Sequence, residues 1–316
     1  MTDSQASGRD AEFLAAGMNL VNETATAELV TALRAEDVRS IVLKGPPLRR
    51  WLYGNDRFPA SMDVDLLVPW PRLDAIDRAL QKLGWRFLGR DAIGPGRPFR
   101  LVWQQPGDGM LLELHRSIAG MGVQGDEAWE ILSKRTETTM VQKVEVEVLD
   151  VPARALHLAL HAAQHGAGLE RTTEDLRRAL QKLPDSVWSE AAELAALLSA
   201  VPAYTTGLAL RPEGQIQVER LASDGNASAE LVLRAGGAPP GSEGLELMSQ
   251  LRGLRAKLAF GLQQVAPPAD YLRVLMPIAR RGPLGLALAY LWRPVSLAWR
   301  FLPALRAYRR ARSATR

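Results

Sequence analysis

Asp63 and Asp65 stand one residue apart at the head of an apolar run that continues to Val68. Side chains alternate between the two faces of a β-strand, so a strand here places both carboxylates on one face. Like charges held that close raise each other's pKa unless a cation lies between them. Because Mg²⁺ prefers hard oxygen ligands, the pair predicts a magnesium site. The alternative is a solvated edge strand whose outer face carries two aspartates.

Two further elements would complete such a site. A short β-branched run at 40–43 leads into Lys44 and Gly45, and a helical pattern begins at Pro46. Glycine lets a ligand approach the backbone, and the free N–H groups at a helix start attract phosphate. Downstream, Glu113 is a single carboxylate within another strand-like apolar run. Together the three elements indicate a site for phosphate and a metal ion.

The order of these elements resembles the nucleotidyltransferase superfamily related to DNA polymerase β. More closely, the chain resembles a branch of uncharacterised bacterial nucleotidyltransferases. The matching residues are Leu43-Lys44-Gly45, Tyr53-Gly54, Arg57, Asp63 to Val68, Leu83-Gly84-Trp85 and Glu113-Leu114-His115, with a weaker continuation through 156–158 and 175–176. The chain departs from the superfamily at Pro46, where serine is usual. This change removes a hydroxyl and a backbone N–H that would touch phosphate.

The resemblance implies metal-dependent transfer of an NMP from an NTP, such as ATP, to an acceptor hydroxyl, with release of pyrophosphate. Two Mg²⁺ ions are expected, with Mn²⁺ as an alternative. The implied catalytic and metal-binding residues are Asp63, Asp65 and Glu113, and the implied nucleotide-binding residues are Lys44, Gly45 and Arg57. The acceptor stays open among sugars, antibiotic-like molecules, peptides, protein hydroxyls and RNA ends. The alternative function is a catalytically weak module that keeps the fold to bind a nucleotide, a protein or RNA.

Three histidines, His157, His161 and His165, follow one another at intervals of four residues, and with His115 they are all the histidines of the chain. On a helix this spacing forms one stripe, which either binds a metal or phosphate or packs at an interface. No carboxylate or cysteine stands at matching spacing there, so we predict that the stripe is not a zinc site. The resemblance places this region beside the active site, so His115, His157, His161 and Asp175 are expected to face the substrate.

The predicted fold class is α+β, with a nucleotidyltransferase-like mixed sheet, flanking helices and a mainly helical second domain. Strands are predicted at 40–44, 63–68, 99–104, 110–116 and within 143–149, and helices at 46–53, 71–83 and from 152 onward. The predicted organisation is a disordered lead at 1–10, a catalytic domain at 11–150, a helical domain at 151–292 and a basic amphipathic tail at 293–316. Glu145 and Glu147 form a second acidic pair, interpreted as solvated charges. The loop from Gly89 to Pro98 contains Arg90 and Arg97 and is followed by Arg100; it is interpreted either as a substrate or triphosphate loop or as a solvated connection.

The net charge of +4 over 316 residues conceals an uneven distribution. The segment from Arg293 to Arg316 holds seven arginines and no acid, so the rest of the chain sums to −3. Nucleic acid is therefore not a favoured partner of the body of the protein. The chain has no cysteine, and its polar N-terminus lacks the apolar core of a signal peptide, so we expect a cytoplasmic protein.

The C-terminal segment contains the apolar run 284–292, which Arg293 and Pro294 interrupt. This run is too short to span a bilayer, so no transmembrane segment is expected. Two interpretations remain for the basic tail that follows. It either lies on an anionic membrane surface or docks onto a protein, including the body of this one.

Overall fold

The computed structural model describes residues 3–54, 61, 63–92, 98–107, 109–123, 125–220 and 276–295, with the single positions 255, 265, 269 and 272. The chain divides into two compact units. The first comprises 1–87, 100–118 and 123–157, and the second comprises 88–99, 119–122 and 158–316. The domain boundary near Asp150 stays a prediction.

Helices and strands alternate in the first half of the chain, and helices follow. The helices are α1 (Asp3–Ala35), α2 (Pro46–Tyr53), α3 (Leu73–Lys82), α4 (Gly125–Leu132), α5 (Val151–His165), α6 (Glu170–Lys182), α7 (Asp185–Leu197), α8 (Val201–Leu208) and α9 (Pro212–Arg220), with a further helix at 282–295. The strands are β1 (Ile41–Val42), β2 (Asp63–Leu67), β3 (Arg86–Ala92), β4 (Pro98–Gln104), β5 (Leu111–His115), β6 (Thr136–Val141) and β7 (Val144–Leu149). Short 3₁₀ turns lie at Trp70–Arg72, Gly166–Gly168 and Pro277–Arg280.

The strands form one mixed sheet in the order β3-β4-β5-β2-β1-β7-β6. β2 runs parallel to β5, and β1 runs parallel to β7. The pairs β1 with β2, β4 with β5 and β6 with β7 are antiparallel. The predicted α+β class with a mixed sheet and flanking helices is therefore confirmed.

One face of the sheet is covered by α1 and α3. Because side chains alternate along a strand, Val64 and Leu66 of β2 turn to this face, as do Leu112 and Leu114 of β5. They pack in one core with apolar side chains of α1, α3 and β7. The opposite face of β2 and β5 is left for Asp63, Asp65, Glu113 and His115, so the core that orders the sheet also fixes where the polar residues point.

The short helix α2 follows directly on β1 through Lys44 and Gly45. Gly45 has φ of +81°, a conformation that residues with a Cβ rarely adopt, and Pro46 and Pro47 occupy the first turn of the helix. Trp51 of α2 contacts Arg154 of α5, whose guanidinium lies 4.5 Å from the ring centroid. The predicted helix at 46–53 thus agrees with α2.

The N-terminal lead differs from the expectation. The sequence predicted disorder at 1–10, but α1 begins at Asp3 and continues without a break to Ala35. Extending a formed helix costs far less than starting one, and no proline interrupts residues 3–35. The polar residues at the start therefore continue the helix that the apolar stripe further along stabilises.

The second unit contains a tightly packed helical group. Gly207 of α8 lies directly against the Ala159 carbonyl of α5, where a Cβ would come within 1.9 Å of the oxygen. The Tyr204 hydroxyl donates to the carbonyl of Trp188, and Trp188 is fully buried. Within the part of the chain that the structure describes, no helix combines the length and apolar character needed to cross a bilayer.

Candidate active site

Strand register brings the predicted acidic residues together on one face of the sheet. In the parallel β2–β5 pair, Asp65 lies opposite Glu113, and Leu67 lies opposite His115. In the antiparallel β4–β5 pair, Arg100 lies opposite His115. Since residues i and i+2 of a strand share a face, the side chains of Asp63, Asp65, Glu113, His115 and Arg100 all project from the same side.

Asp65, Glu113 and His115 form a compact group of potential metal ligands. One ligand atom from each lies within 4.8 Å of those of the other two, and no second group of this kind occurs among the described residues. His115 Nε2 is 2.9 Å from Asp65 Oδ1 and 3.6 Å from Glu113 Oε2. Asp65 is 1% exposed. Two carboxylates in so small a space are a donor set that fits a divalent cation.

Two cationic side chains contact these carboxylates. The Lys44 ammonium, expected to hold a triphosphate, donates to Asp65 Oδ1 at 3.2 Å. The Arg100 guanidinium donates to Glu113 Oε2 at 2.6 Å. The sequence placed Arg100 beside a loop interpreted either as a substrate or triphosphate loop or as a solvated connection, without a contact to Glu113. The position of Arg100 beside Glu113 follows from the register of β4 on β5, and this register cannot be derived from the sequence of either strand alone.

The pKa of the Glu113 carboxyl is raised above its ordinary value. The largest cause is burial, which disfavours the charged form, and the second is the nearby charge of Asp65. Arg100, His115 and Lys44 act in the opposite direction. Burial and like charge therefore outweigh three cationic or potentially cationic neighbours, and Glu113 has an increased affinity for a proton.

Asp63 lies at the start of β2 and is half-buried. Its Oδ1 accepts a hydrogen bond from the Ser61 hydroxyl, and it is not a member of the three-residue ligand group. Its backbone carbonyl accepts a hydrogen bond of 2.7 Å from Asn22 Nδ2, and the Ser61 carbonyl accepts another from the same amide. The start of the strand is thus fastened to α1.

Asn22 is a site residue that sequence reasoning missed. It is fully buried on α1, and its side-chain oxygen lies against Gly45, at 3.3 Å from where a Cβ would stand. One amide therefore contacts both the strand of the acidic pair and the glycine before α2. The signal in the sequence is a polar residue within an apolar helical stripe, at spacings of four from Met18 and seven from Leu29.

His157 of α5 is 3% exposed, and its imidazole stays neutral. Its pKa is lowered to about 3, chiefly by burial and next by the positive charge of Lys44, whereas Asp65 and a hydrogen bond with the Leu43 backbone raise it. These influences place the ring beside Lys44 and Asp65, on the side of the site formed by the end of β1. A neutral ring can accept or donate a hydrogen bond without adding charge.

Three further residues were predicted for the site: Arg57, His161 and Asp175. Arg57 lies outside the described residues. In the second unit, the His161 and His165 rings form an edge-to-face pair with centroids 4.6 Å apart. Asp175 is a buried residue of α6. Their expected role towards a substrate stays a prediction.

A model of a protein family described as "Uncharacterised nucleotidyltransferase" matches residues 6–213 of the chain. The chain belongs to this nucleotidyltransferase family. The matched range includes the seven described strands of the sheet and all of the residues assembled above. Among curated proteins, none matches the chain.

Solved structures similar to this nucleotidyltransferase are distant. The antibiotic-resistance factor ANT(2″)-Ia aligns at 14% identity over 57% of this chain and 95% of its own, with a TM-score of 0.43. ANT(2″)-Ia in complex with adenylyl-2″-tobramycin aligns at 14% identity over 56% and 98%, with a TM-score of 0.39. A putative nucleotidyltransferase from H. pylori aligns at 15% identity over 64% and 95%, with a TM-score of 0.34.

Proposed function

We propose that the protein is a metal-dependent nucleotidyltransferase that moves an NMP from an NTP to an acceptor hydroxyl and releases pyrophosphate. The observation that carries the proposal is the parallel register that sets Asp65 opposite Glu113, with His115 2.9 Å from Asp65. Membership of the nucleotidyltransferase family supports it. The acceptor oxygen bonds to the α-phosphorus of the NTP as the bond from that phosphorus to the pyrophosphate oxygen breaks.

In this proposal Asp63, Asp65 and Glu113 hold Mg²⁺, two ions being expected. When bound, the ions polarise the NTP phosphates and offset the charge that develops on pyrophosphate. Lys44 and Gly45 position the triphosphate, and Arg57 contributes positive charge towards it. The imidazole of His115 is a ligand type more typical of transition metals, so Mn²⁺ is an alternative ion.

Glu113 is also proposed to accept the proton of the attacking hydroxyl. Its carboxylate lies within the site, beside Asp65 and 3.6 Å from His115 Nε2, where it could take up that proton. The hydrogen bond from Arg100 fixes the orientation of one Glu113 oxygen. The Lys44 ammonium donates to Asp65 Oδ1 at 3.2 Å, and we expect it to contact phosphate when the nucleotide binds.

A second candidate function is a binding module that keeps the fold but transfers no nucleotide. Pro46 and Pro47 occupy the first two positions of α2, so two N–H groups that a phosphate would use are missing. The Lys44–Asp65 ion pair is a second feature that such a module would retain. In that case nucleotide, protein or RNA binding would survive loss of the carboxylates.

The proposed transfer is tested with labelled NTPs, Mg²⁺ or Mn²⁺, and a panel of hydroxyl acceptors, with label transfer and pyrophosphate release measured together. We expect both signals with the parent protein and neither with Asp65→Asn, whose amide removes a ligand charge but fits the same space. Glu147→Gln on β7 is the matched control, since it changes an acid of the same sheet outside the group, and it should keep the parent rate.

The binding module would instead be favoured if the parent binds nucleotide in a metal-dependent way but transfers no label to any acceptor. In that case the nucleotide binding should be unchanged in Asp65→Asn. Circular dichroism and thermal melting of each variant separate a loss of chemistry from a loss of fold. A variant that melts like the parent and transfers no label identifies a residue of the reaction.

A further inference from the structure

The helix at 282–295 has two faces that are both apolar. Its inner face packs Ala289 with Leu272 and Ala279 in a small buried cluster of the second unit, with Leu286 and Tyr290 against it. A surface helix normally places polar residues opposite its packed side. In the helix at 282–295, the side opposite the packed one is apolar as well.

The outer face is formed by Leu284, Leu288, Leu291, Trp292 and Val295, which recur at helical spacing. Leu284 is 82% exposed and Trp292 is 57% exposed. Every residue of 282–295 that is exposed in the structure is apolar, glycine or proline. Contiguous exposed apolar surface of this kind marks a site of interaction with a protein or a membrane.

We propose that this outer face, together with the basic segment that begins at Arg293, attaches the protein to an anionic lipid surface. The seven arginines of 293–316, with no acid among them, follow the apolar face directly in sequence. An apolar stripe with an interfacial tryptophan, joined to a dense positive charge, is the chemistry that binds the boundary of a bilayer with anionic headgroups.

Charge favours lipid over a second copy of the chain as the occupant of this face. Two copies that met there would bring together two segments of charge +7, and like charges repel. An anionic surface instead attracts each arginine. The helix also lies beyond residue 213, where the match to the nucleotidyltransferase family ends, so the inference is independent of the transfer reaction.

The experiment is cosedimentation of the full-length protein with vesicles of phosphatidylcholine alone or of equal parts phosphatidylcholine and phosphatidylserine. We expect binding to the anionic vesicles, little binding to the neutral ones, and release by salt. Leu291→Glu should weaken binding about tenfold or more, because it places a charge where the exposed leucine would enter the apolar boundary of the bilayer. Replacing Arg309 and Arg310 by glutamine should weaken binding about fivefold for each arginine.

The matched control is Leu197→Glu, which makes the same change at a leucine of α7 that is 65% exposed, and it should bind as the parent does. Leu284→Glu, at the most exposed position, replaces Leu291→Glu if the latter fails to fold. Equal binding to both vesicle types, no vesicle binding, or unchanged binding of a folded glutamate variant would overturn the proposal. Sedimentation of the protein without vesicles tests whether a second copy covers this face instead. A parent dimer that dissociates in Leu291→Glu, together with no binding of the parent to vesicles, would identify the second copy as the occupant.

Discussion

The sheet carries two acidic pairs of equal spacing, Asp63 with Asp65 on β2 and Glu145 with Glu147 on β7, in different surroundings. Glu145 is exposed, and Glu147, with 25% of its side chain exposed, pairs with the Arg39 guanidinium at 2.5 Å. Hydrogen bonding from Arg39 lowers the pKa of Glu147 and outweighs partial burial. In the β7 pair, Glu147 is therefore held in its charged form by a neighbouring cation, and Glu145 faces solvent.

The β2 pair lies on the central strand, between β5 and β1. Asp65 is buried, and the adjacent strand adds Glu113, whose pKa is raised because burial and Asp65 disfavour its charge. Spacing along a strand thus determines which acids share a face. The neighbouring strand determines whether they are solvated or form a buried group in which the pKa of a carboxyl is raised.

The largest expected difference between the two pairs is in nucleotidyl transfer. Asp63→Asn should lower the rate of transfer about a hundredfold or more. This is about the loss in rate expected when one electrostatic contact to the transition state is removed. Glu145→Gln, at the equivalent place in the exposed pair, should leave the rate within about twofold of the parent, because surface substitutions away from a site have little effect. Steady-state rates of the two variants measure the difference.

This comparison also tests whether Asp63 belongs to the site at all. Retention of the parent rate by Asp63→Asn, with a large loss in His115→Gln, would mean that the ligands are Asp65, Glu113 and His115 without Asp63. That result would contradict the pairing predicted from the sequence.

A second difference is expected in stability without metal. Lys44→Met leaves the buried Asp65 without its ammonium partner and should lower the free energy of unfolding by about 3 kcal/mol. Arg39→Met removes an exposed ion pair and should cost about 1 kcal/mol or less. Urea denaturation in EDTA measures both losses. Mg²⁺ should restore part of the stability of Lys44→Met only, and equal losses in the two variants would show that burial does not distinguish the pairs.

The two acidic pairs should also differ in how their variants change the melting temperature when ligand is added. At ligand concentrations a hundredfold above the dissociation constant, binding stabilises a protein by about 2.7 kcal/mol. Mg²⁺ with ATP should therefore raise the melting temperature of the parent and of Glu147→Gln. Asp65→Asn should show no such rise, and a rise equal to that of the parent would exclude Asp65 as a ligand.

The smallest effect is in the pH dependence of stability in EDTA, where the two glutamates should act with opposite signs. The pKa of Glu113 is raised, so its contribution is greatest below the ordinary value of 4.5 and is lost as the pH rises through the folded-state value. The pKa of Glu147 is lowered, so its contribution is present above 4.5 and is lost as the pH falls. Glu113→Gln should flatten the first slope and Glu147→Gln the second, as measured by melting temperature against pH.

Local patterns predicted the elements that carry the acids. The helix at 46–53 and the strand from residue 63 agree with α2 and β2, because proline at a helix start and alternating apolar residues are signals within the segment itself. β6 was missed, since Thr136–Val141 is largely exposed and lacks apolar alternation. β3 was partly assigned to a loop, and the short helix α4 was not predicted.

The contacts around the acids depend on register and could not be derived from separate segments. The place of Arg100 beside Glu113 follows from the β4–β5 pairing. The contact of Lys44 with Asp65 follows in the same way from the pairing of β1 with β2, and the expected contact of Lys44 with phosphate stays a prediction. Such contacts require knowledge of which strands are neighbours, and propensity and periodicity do not supply it.

The parallel pairing of β2 with β5 also has a consequence for folding. Asp65 and His115 are 50 residues apart in the chain, so their strands meet only after a long loop has closed, a slow event that is costly in entropy. A slip of one residue in this pairing would turn Glu113 and His115 towards the apolar face. A cation that binds the assembled group would therefore stabilise the native register against slipped alternatives. It would favour the correctly paired sheet late in folding, before any substrate is bound.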